Sequence, residues 1–194
     1  METMKQLIRP EFIIGNLGND KATDEVQDTC NLCFKDEQPG EGSLLDGVNG
    51  KLRKCHTNWI PTDSVNFINE GFANIIRHCN DQQWKLPLDN KWESHIQYTR
   101  YTDKGHHYGW HKDYYPECTA LNEKHNMGIR RISIVYCLSH KKDYVGGEFQ
   151  IQQDDSIFTH KFNYGDFIVF PSTVPHRVKP LKKGQRITLV GWYA

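Results

Sequence analysis

DFIVFPSTVPHRVKPLKKGQRITLVGWY, residues 166–193, is the stretch whose reading decides the fold. It opens with an apolar run, Asp166 to Phe170, and closes with a longer one, Arg186 to Tyr193; His176 to Lys179 lies between them, behind Pro171 and Pro175. Short runs of β-branched and aromatic residues punctuated by Pro, Gly and Asp read as strands, because such side chains suit a pleated, half-buried surface. The same texture extends back to Trp92, through His95 to Tyr101, Ile129 to Leu138, Glu148 to Gln152 and Ser156 to Phe162, with turn signals at Gly146-Gly147 and Asn163-Tyr164-Gly165-Asp166. This number of short strands predicts a closed sandwich or jelly roll.

The first half reads differently. Ala22, Val26, Cys30 and Cys33 keep helical spacing until Pro39-Gly40, and a Gly-rich loop follows from Gly40 to Gly50. Val65, Ile68, Phe72, Ile75, Ile76 and Cys79 mark a second helix, with Thr62 or Asp63 as its cap and Asn80-Asp81 as its end. The expectation is a mainly β protein with flanking helices (α+β), a single domain over 1–194. Residues 1–90 form a helical support packed on one outer face, and residues 91–194 form the jelly-roll core.

Composition narrows the function. In 194 residues, 24 Lys and Arg balance 24 Asp and Glu, which leaves no basic field to recruit nucleic acid. The longest apolar runs, Ile132 to Leu138 broken only by Ser133, and Phe167 to Phe170, fall far short of the roughly 18 residues of a membrane span. Met-Glu-Thr-Met-Lys at the start has no apolar signal region, so a soluble cytoplasmic protein is expected, with its six cysteines as free thiols. Cys30-x-x-Cys33 with Cys55-His56 could supply four zinc ligands, but a zinc module normally shows a second tight pair, so buried thiols are the preferred reading.

The chemistry concentrates at His111-Lys112-Asp113, where alternate residues on extended backbone aim an imidazole and a carboxylate one way. His176, just past an apolar strand, adds a third donor, and two His with one carboxylate on one face of a metal is the arrangement of non-haem Fe(II) oxygenases. Taken singly, each is more often a surface or hydrogen-bonded core residue. Weight comes from Arg186, ten residues after His176, and Thr188 two beyond it. An Arg pointing into an apolar barrel is costly unless an anion meets it, and a dicarboxylate would do so in bidentate fashion. His106-His107 reads as part of a polar loop, and His140 with Lys141-Lys142, like Lys182-Lys183, as surface charge.

At this point the sequence resembles the Fe(II) and 2-oxoglutarate dependent dioxygenases, in the prolyl 4-hydroxylase-like branch that includes the PKHD-type hydroxylases. The resemblance spans roughly residues 53 to 194. It is carried by Arg53-Lys54-Cys55 with Trp59-Ile60, Tyr98-Thr99-Arg100-Tyr101, Tyr108-Gly109-Trp110-His111-Lys112-Asp113, Gly146-Gly147-Glu148-Phe149, Gly165-Asp166 through Pro171-Ser172 to His176, and the closing Arg186 and Trp192. It implies a double-stranded β-helix (cupin-like) in which His111, Asp113 and His176 bind Fe(II) and 2-oxoglutarate chelates that metal. It further implies that Arg186 holds the far carboxylate, with Thr188 and Tyr101 hydrogen-bonded to it. Cys137 stands at a cofactor-binding position where prolyl hydroxylases often carry another tyrosine. Tyr108, Arg130 and Trp192 match the substrate side, where an aromatic wall suits a proline ring.

The implied reaction hydroxylates a C–H bond while 2-oxoglutarate and O2 become succinate and CO2, with ascorbate as a further cofactor. The implied substrate is a prolyl or other side chain in a peptide or protein, or a free amino acid. Asp113 favours a hydroxylase over a halogenase, in which a small residue replaces the carboxylate. The spacing of Arg177 and Arg186 does not match the nucleic-acid demethylases. The rival readings are a non-catalytic metal-binding jelly roll and a zinc hydrolase on the same three ligands, and the complete set of His111, Asp113, His176 and Arg186 argues against the first. Asp113 to Gly128 is long and polar enough for a lid.

Overall fold

A computed structural model describes residues 6–18, 20–34, 40–41, 50–89, 95–114 and 129–194. The first half contains β1 (Gln6–Arg9), β2 (Phe12–Asn16), α1 (Asp20–Cys33), β3 (Gly40–Glu41), β4 (Arg53–Lys54), β5 (His56–Pro61) and α2 (Asn66–Gln83). The second contains β6 (His95–Tyr101), β7 (His107–His111), β8 (Ile132–Cys137), β9 (Tyr144–Gly146), β10 (Phe149–Gln153), β11 (Ser156–His160), β12 (Asp166–Pro171), β13 (His176–Val178), β14 (Leu181–Gly184) and β15 (Arg186–Tyr193). Eight strands pair in the order β1-β2-β12-β8-β15-β6-β5-β3, five in the order β11-β10-β13-β7-β4, and β14 pairs with β9. The pairings are antiparallel.

Strand alternation divides the apolar residues between two cores. Ile134 and Tyr136 of β8, Phe167 and Val169 of β12, and Leu189 and Tyr193 of β15 face outward and meet Val26 and Cys30 of α1 and Ile68, Phe72, Ile76 and Cys79 of α2. Their neighbours in sequence, Val135, Cys137, Ile168 and Phe170, face inward with Phe149, Ile151, Phe162 and Val178. A period of two on the strands and 3.6 on the helices thus produces a helix layer, a large sheet and a smaller sheet from one pattern. Each fully buried Ile or Phe in these cores contributes about 1.5–3 kcal/mol of transfer free energy. The helices lie on the outer face of the large sheet, as expected.

The expected division at residue 90 does not follow the layers. β1, β2, β3 and β5 belong to the large sheet and β4 to the small one, so the first half supplies walls of the barrel as well as its support. These strands escaped the sequence reading because each spans only two to six residues, too short to show a period against polar neighbours. The second helix is entered through a 3-10 turn at Thr62–Val65, with no side-chain cap from Thr62 or Asp63, and runs on to Gln83. Cys30 packs in the outer core, Cys55 in the inner one, and Cys33 is exposed, so the four-ligand zinc arrangement does not form. Trp92, Cys118 and most of the Gly40 to Gly50 and Asp113 to Gly128 segments lie outside the described residues.

Candidate active site

His111 ends β7 and His176 begins β13, and the two are cross-strand partners in the small sheet. The chain turns after His111, where the Asp113 and Tyr114 amides both donate to the Ser172 carbonyl at 2.9 and 3.0 Å. This turn brings Asp113 Oδ1 to 3.7 Å from His111 Nε2 and Oδ2 to 3.6 Å from His176 Nε2. The three ligand atoms lie within 4.8 Å of one another, and all three side chains are buried.

Proton positions follow from the partners. His111 Nδ1 lies 2.8 Å from the Gly109 carbonyl and His176 Nδ1 3.0 Å from the Val174 carbonyl. A carbonyl only accepts, so both Nδ1 atoms carry hydrogen and, in the neutral rings, both Nε2 lone pairs face the centre of the cluster. Burial, reinforced by His176, holds His111 far below its ordinary pKa, at about 3, which keeps the ring neutral. Burial alone would raise the Asp113 carboxyl. His176, His111, Arg130 and the Ser133 hydrogen bond outweigh it and keep the carboxylate ionised. Ser133 Oγ donates to Asp113 Oδ2 at 2.7 Å and lies 2.9 Å from Ser172 Oγ. Two imidazoles with Nε2 turned to the cluster and a carboxylate, oriented by backbone and hydroxyl partners, fit a divalent transition metal.

A second His and Asp cluster shows the contrast. His56, Asp103 and His106 also place ligand atoms within 4.8 Å of one another. Here, however, His106 Nδ1 accepts from the Thr102 amide at 3.2 Å and the Asp103 amide at 3.5 Å. Its hydrogen is therefore on Nε2, which points at Asp103 Oδ2 3.2 Å away and has no lone pair to offer a metal.

Arg186, Thr188, Val190 and Trp192 share the inward face of β15 by alternation. Arg186 is 1% exposed, forms no ion pair among the described residues, and has no hydrogen-bond partner at Nε or Nη2. Its guanidinium lies against the rings of Tyr101 at 5.3 Å and Phe162 at 5.6 Å, and β15 is registered so that Arg186 faces Tyr101 and Thr188 faces Cys137. Room for it comes from Gly147, at φ +66, where a β-carbon would stand 3.2 Å from Arg186 Cδ. A buried guanidinium with open donors fits a carboxylate. The Cys137 thiol turns away and donates to the Ser139 carbonyl at 3.3 Å.

The expected substrate residues fall into two groups. Arg130 stacks over Trp192 at 3.8 Å, and the exposed Trp59 leans on Trp192 from outside, with ring centroids 6.0 Å apart. Tyr108 instead lies flat on His111. Sequence reading named Ser133, Ser172 and Arg53 without giving them a role at the site, and passed over Gln97. Ser133 had a visible signal as the one polar residue inside the apolar run from Ile132 to Leu138, whereas the others are recognisable only through their contacts.

The family model for the 2OG-Fe(II) oxygenase superfamily matches residues 96–194, just over half of the chain. The chain belongs to that superfamily. Among curated relatives, this chain is 33% identical to a PKHD-type hydroxylase of Crocosphaera subtropica over 109 residues, which cover 56% of this chain and 46% of the relative. It is 29% identical to a PKHD-type hydroxylase of Prochlorococcus marinus (strain MIT 9211) over 163 residues, 84% of this chain and 66% of that one. The matched stretches thus span about half to two thirds of these relatives' lengths.

Among solved structures, the chain superposes on a Trichoplax adhaerens prolyl hydroxylase, in complex with a hypoxia inducible factor peptide fragment, with a TM-score of 0.75. Identity is 20%, and 95% of this chain and 83% of that one are covered. A Pseudomonas putida prolyl-4-hydroxylase gives a TM-score of 0.68 at 18% identity, covering 98% and 91%. At these identities the likeness is one of fold, and it supports the double-stranded β-helix. Membership of the oxygenase superfamily disfavours the reading as a non-catalytic metal-binding jelly roll.

Proposed function

We propose that the chain is an Fe(II)- and 2-oxoglutarate-dependent dioxygenase that hydroxylates a C–H bond of a prolyl residue in a peptide or protein. The observation that carries this reading is the pairing of His111, Asp113 and His176, with lone pairs converging, and Arg186, buried with two open donors. In this reading His111, Asp113 and His176 would hold Fe(II), and 2-oxoglutarate and O2 would bind beside it. Iron and 2-oxoglutarate together supply the oxidising chemistry, in which 2-oxoglutarate is decarboxylated to succinate.

The chain's own residues bind, orient and exclude water. Arg186 pairs with the far carboxylate of 2-oxoglutarate, and Thr188 and Tyr101 on neighbouring strands add hydrogen bonds. Cys137, engaged with its own backbone, leaves that end of the pocket apolar. Phe149 and Phe170 pack on His176 at 5.5 and 4.6 Å and keep water from that side. In this reading the substrate side is Arg130 lying over Trp192, which is buried beneath it, with the exposed Trp59 beside them. The Trichoplax adhaerens enzyme, solved with a peptide, supports a peptide substrate on this fold. Ascorbate as an accessory cofactor, a cytoplasmic setting and the reading of residues 1–194 as one catalytic domain belong to the same proposal. No helix among the described residues is long and apolar enough to cross a membrane.

Anaerobic titration with Fe(II) and then 2-oxoglutarate, followed by O2 with and without ascorbate, tests the reading. A visible charge-transfer band on adding 2-oxoglutarate, and succinate on adding O2, are expected, both lost in His176→Ala. Metal binding with neither band nor succinate would sink the oxygenase reading and return weight to a hydrolytic metal site.

A further inference from the structure

His111 is held in its plane by one hydrogen bond, from Nδ1 to the Gly109 carbonyl. That bond and the covalent tether at Cβ set where the ring edge lies, and the faces of the ring are steadied against tilting only by what packs on them. One contact is Tyr108, whose ring is nearly parallel to the imidazole, at 12°, with centroids 3.4 Å apart. With the imidazole filling one face of Tyr108 so closely, the Arg53 guanidinium, 4.6 Å from the same centroid, must occupy the other.

Arg53 is itself fixed. It is 5% exposed, donates from Nη2 to Gln97 Oε1 at 2.6 Å and from Nε to Cys55 Sγ at 3.2 Å, and is the cross-strand partner of Tyr108 in the β4–β7 pair. Gln97 belongs to β6 in the large sheet, whereas Arg53 and Tyr108 lie in the small one. The stack Gln97, Arg53, Tyr108, His111 therefore runs from one sheet across the barrel to the candidate metal centre.

We propose that Arg53 and Tyr108 are positioning residues for His111, a cation–π pillar that fixes the imidazole plane and so the direction in which Nε2 meets the metal. The proposal rests on the reading of His111 as a metal ligand. It gives Tyr108 a role through the face of its ring, distinct from the substrate contact that its hydroxyl would make. Arg suits the position because its planar guanidinium can stack and bond in one plane, which a Lys ammonium cannot.

Co(II) titration of the full chain, followed by its visible absorption, tests the pillar, with circular dichroism melts of the metal-free proteins alongside. Tyr108→Phe keeps the face and removes the hydroxyl, and should bind within about twofold of wild type. Tyr108→Leu and Arg53→Lys should weaken Co(II) by at least tenfold, the low end of the roughly 10–100-fold typical of outer partners of a metal ligand, and shift the band as the ligand plane tilts. Should Tyr108→Leu lose its cooperative melt, the comparison of Tyr108→Phe with Arg53→Lys carries the test. Wild-type affinity and spectrum in Tyr108→Leu and Arg53→Lys would overturn the pillar. A loss in Tyr108→Phe equal to that in Tyr108→Leu would overturn it in favour of the hydroxyl. Failure of the wild type to bind Co(II) would take down the ligand reading itself, and the pillar with it.

Discussion

Replacing Arg186 by methionine is expected to make the metal-free protein more stable and to abolish its response to 2-oxoglutarate. Both effects come from the same atoms. Nε and Nη2 are buried without a hydrogen-bond partner and the guanidinium has no ion pair among the described residues, so the folded apo protein carries an uncompensated charge. Each unsatisfied buried donor costs about 1–3 kcal/mol, and exchanging buried ionic groups for apolar ones of similar volume often gains about 1–4 kcal/mol. Methionine fits beside Tyr101 and Phe162, which already offer ring faces. A gain of about 2 kcal/mol corresponds to roughly 4–8 °C in Tm for a chain of this size.

The loss on the ligand side is of similar size. At 100 times its Kd, a ligand adds about 2.7 kcal/mol to stability. Truncating one partner of a buried, hydrogen-bonded charge pair costs about 2–5 kcal/mol, enough to remove most of that gain. Scanning calorimetry of the apo proteins, repeated with Co(II) and with Co(II) plus 2-oxoglutarate, reads both effects. Wild type should melt lower as apo protein and rise on adding 2-oxoglutarate, whereas Arg186→Met should melt higher and barely respond. A variant that melts below wild type and still shows the full 2-oxoglutarate shift would refute the reasoning.

Three further outcomes follow from single contacts. Ser133→Ala removes the 2.7 Å donor to Asp113 Oδ2 and should weaken Co(II) roughly 10-fold or more, with Ser133→Thr restoring most of it in the same titration. Asp166 accepts from Asn16 Nδ2 and the Asn163 amide, both at 2.7 Å, and His160 Nε2 lies 3.4 Å away. Burial would raise its carboxyl, but these neighbours prevail and hold it below its ordinary value. Because the folded pKa is depressed, its stabilisation is complete above about pH 4 and disappears as pH falls through the folded value. Urea melts of Asp166→Asn should accordingly show a deficit of about 1–3 kcal/mol at pH 7 that narrows toward pH 3, and a constant deficit would refute the assignment. Burial pushes the Cys30 and Cys79 thiols up to about 12 and Cys137 up to about 11, whereas Cys33 is exposed. Native iodoacetamide labelling read by mass spectrometry should modify Cys33 and spare the other three until denaturant is added.

How much of this was legible in the sequence depended on the range of the interaction. β12 is a continuous apolar run and β15 an eight-residue one, so their strand character, and the shared face of Arg186 and Thr188 two apart on β15, could be read from local sequence alone. The triad was legible because His111 and Asp113 stand two apart and His176 follows a strand that must enter the core. β2, β4 and β5 were not, because each is held in place by a partner distant in sequence: β2 by β12, β4 by β7, β5 by β6; β1 in turn only pairs with β2. The Arg53 stack was hidden for the same reason, since Gln97 is 44 residues away. Ser133 was visible as an interruption, but its pairing with Asp113, which depends on a turn set by the Ser172 carbonyl, was not.

The two histidine clusters show where residue type stops being informative. His111, Asp113 and His176 on one hand, and His56, Asp103 and His106 on the other, are the same residue types, and in each set the ligand atoms lie within 4.8 Å of one another. What separates them is the backbone group that meets Nδ1: a carbonyl at Gly109 and Val174, but amides at Thr102 and Asp103. A carbonyl pins the hydrogen on Nδ1 and presents the Nε2 lone pair to the cluster; an amide takes the Nδ1 lone pair and leaves hydrogen on Nε2. For His111 and His176 the carbonyl is that of the residue two before in the chain, so extended backbone at a strand end is enough to select the ligating tautomer. For His106 the loop closes on the ring instead, and the same imidazole serves as a structural clasp. Local backbone conformation, together with the burial of Asp113 against the exposure of Asp103, therefore distinguishes the two clusters where residue type does not.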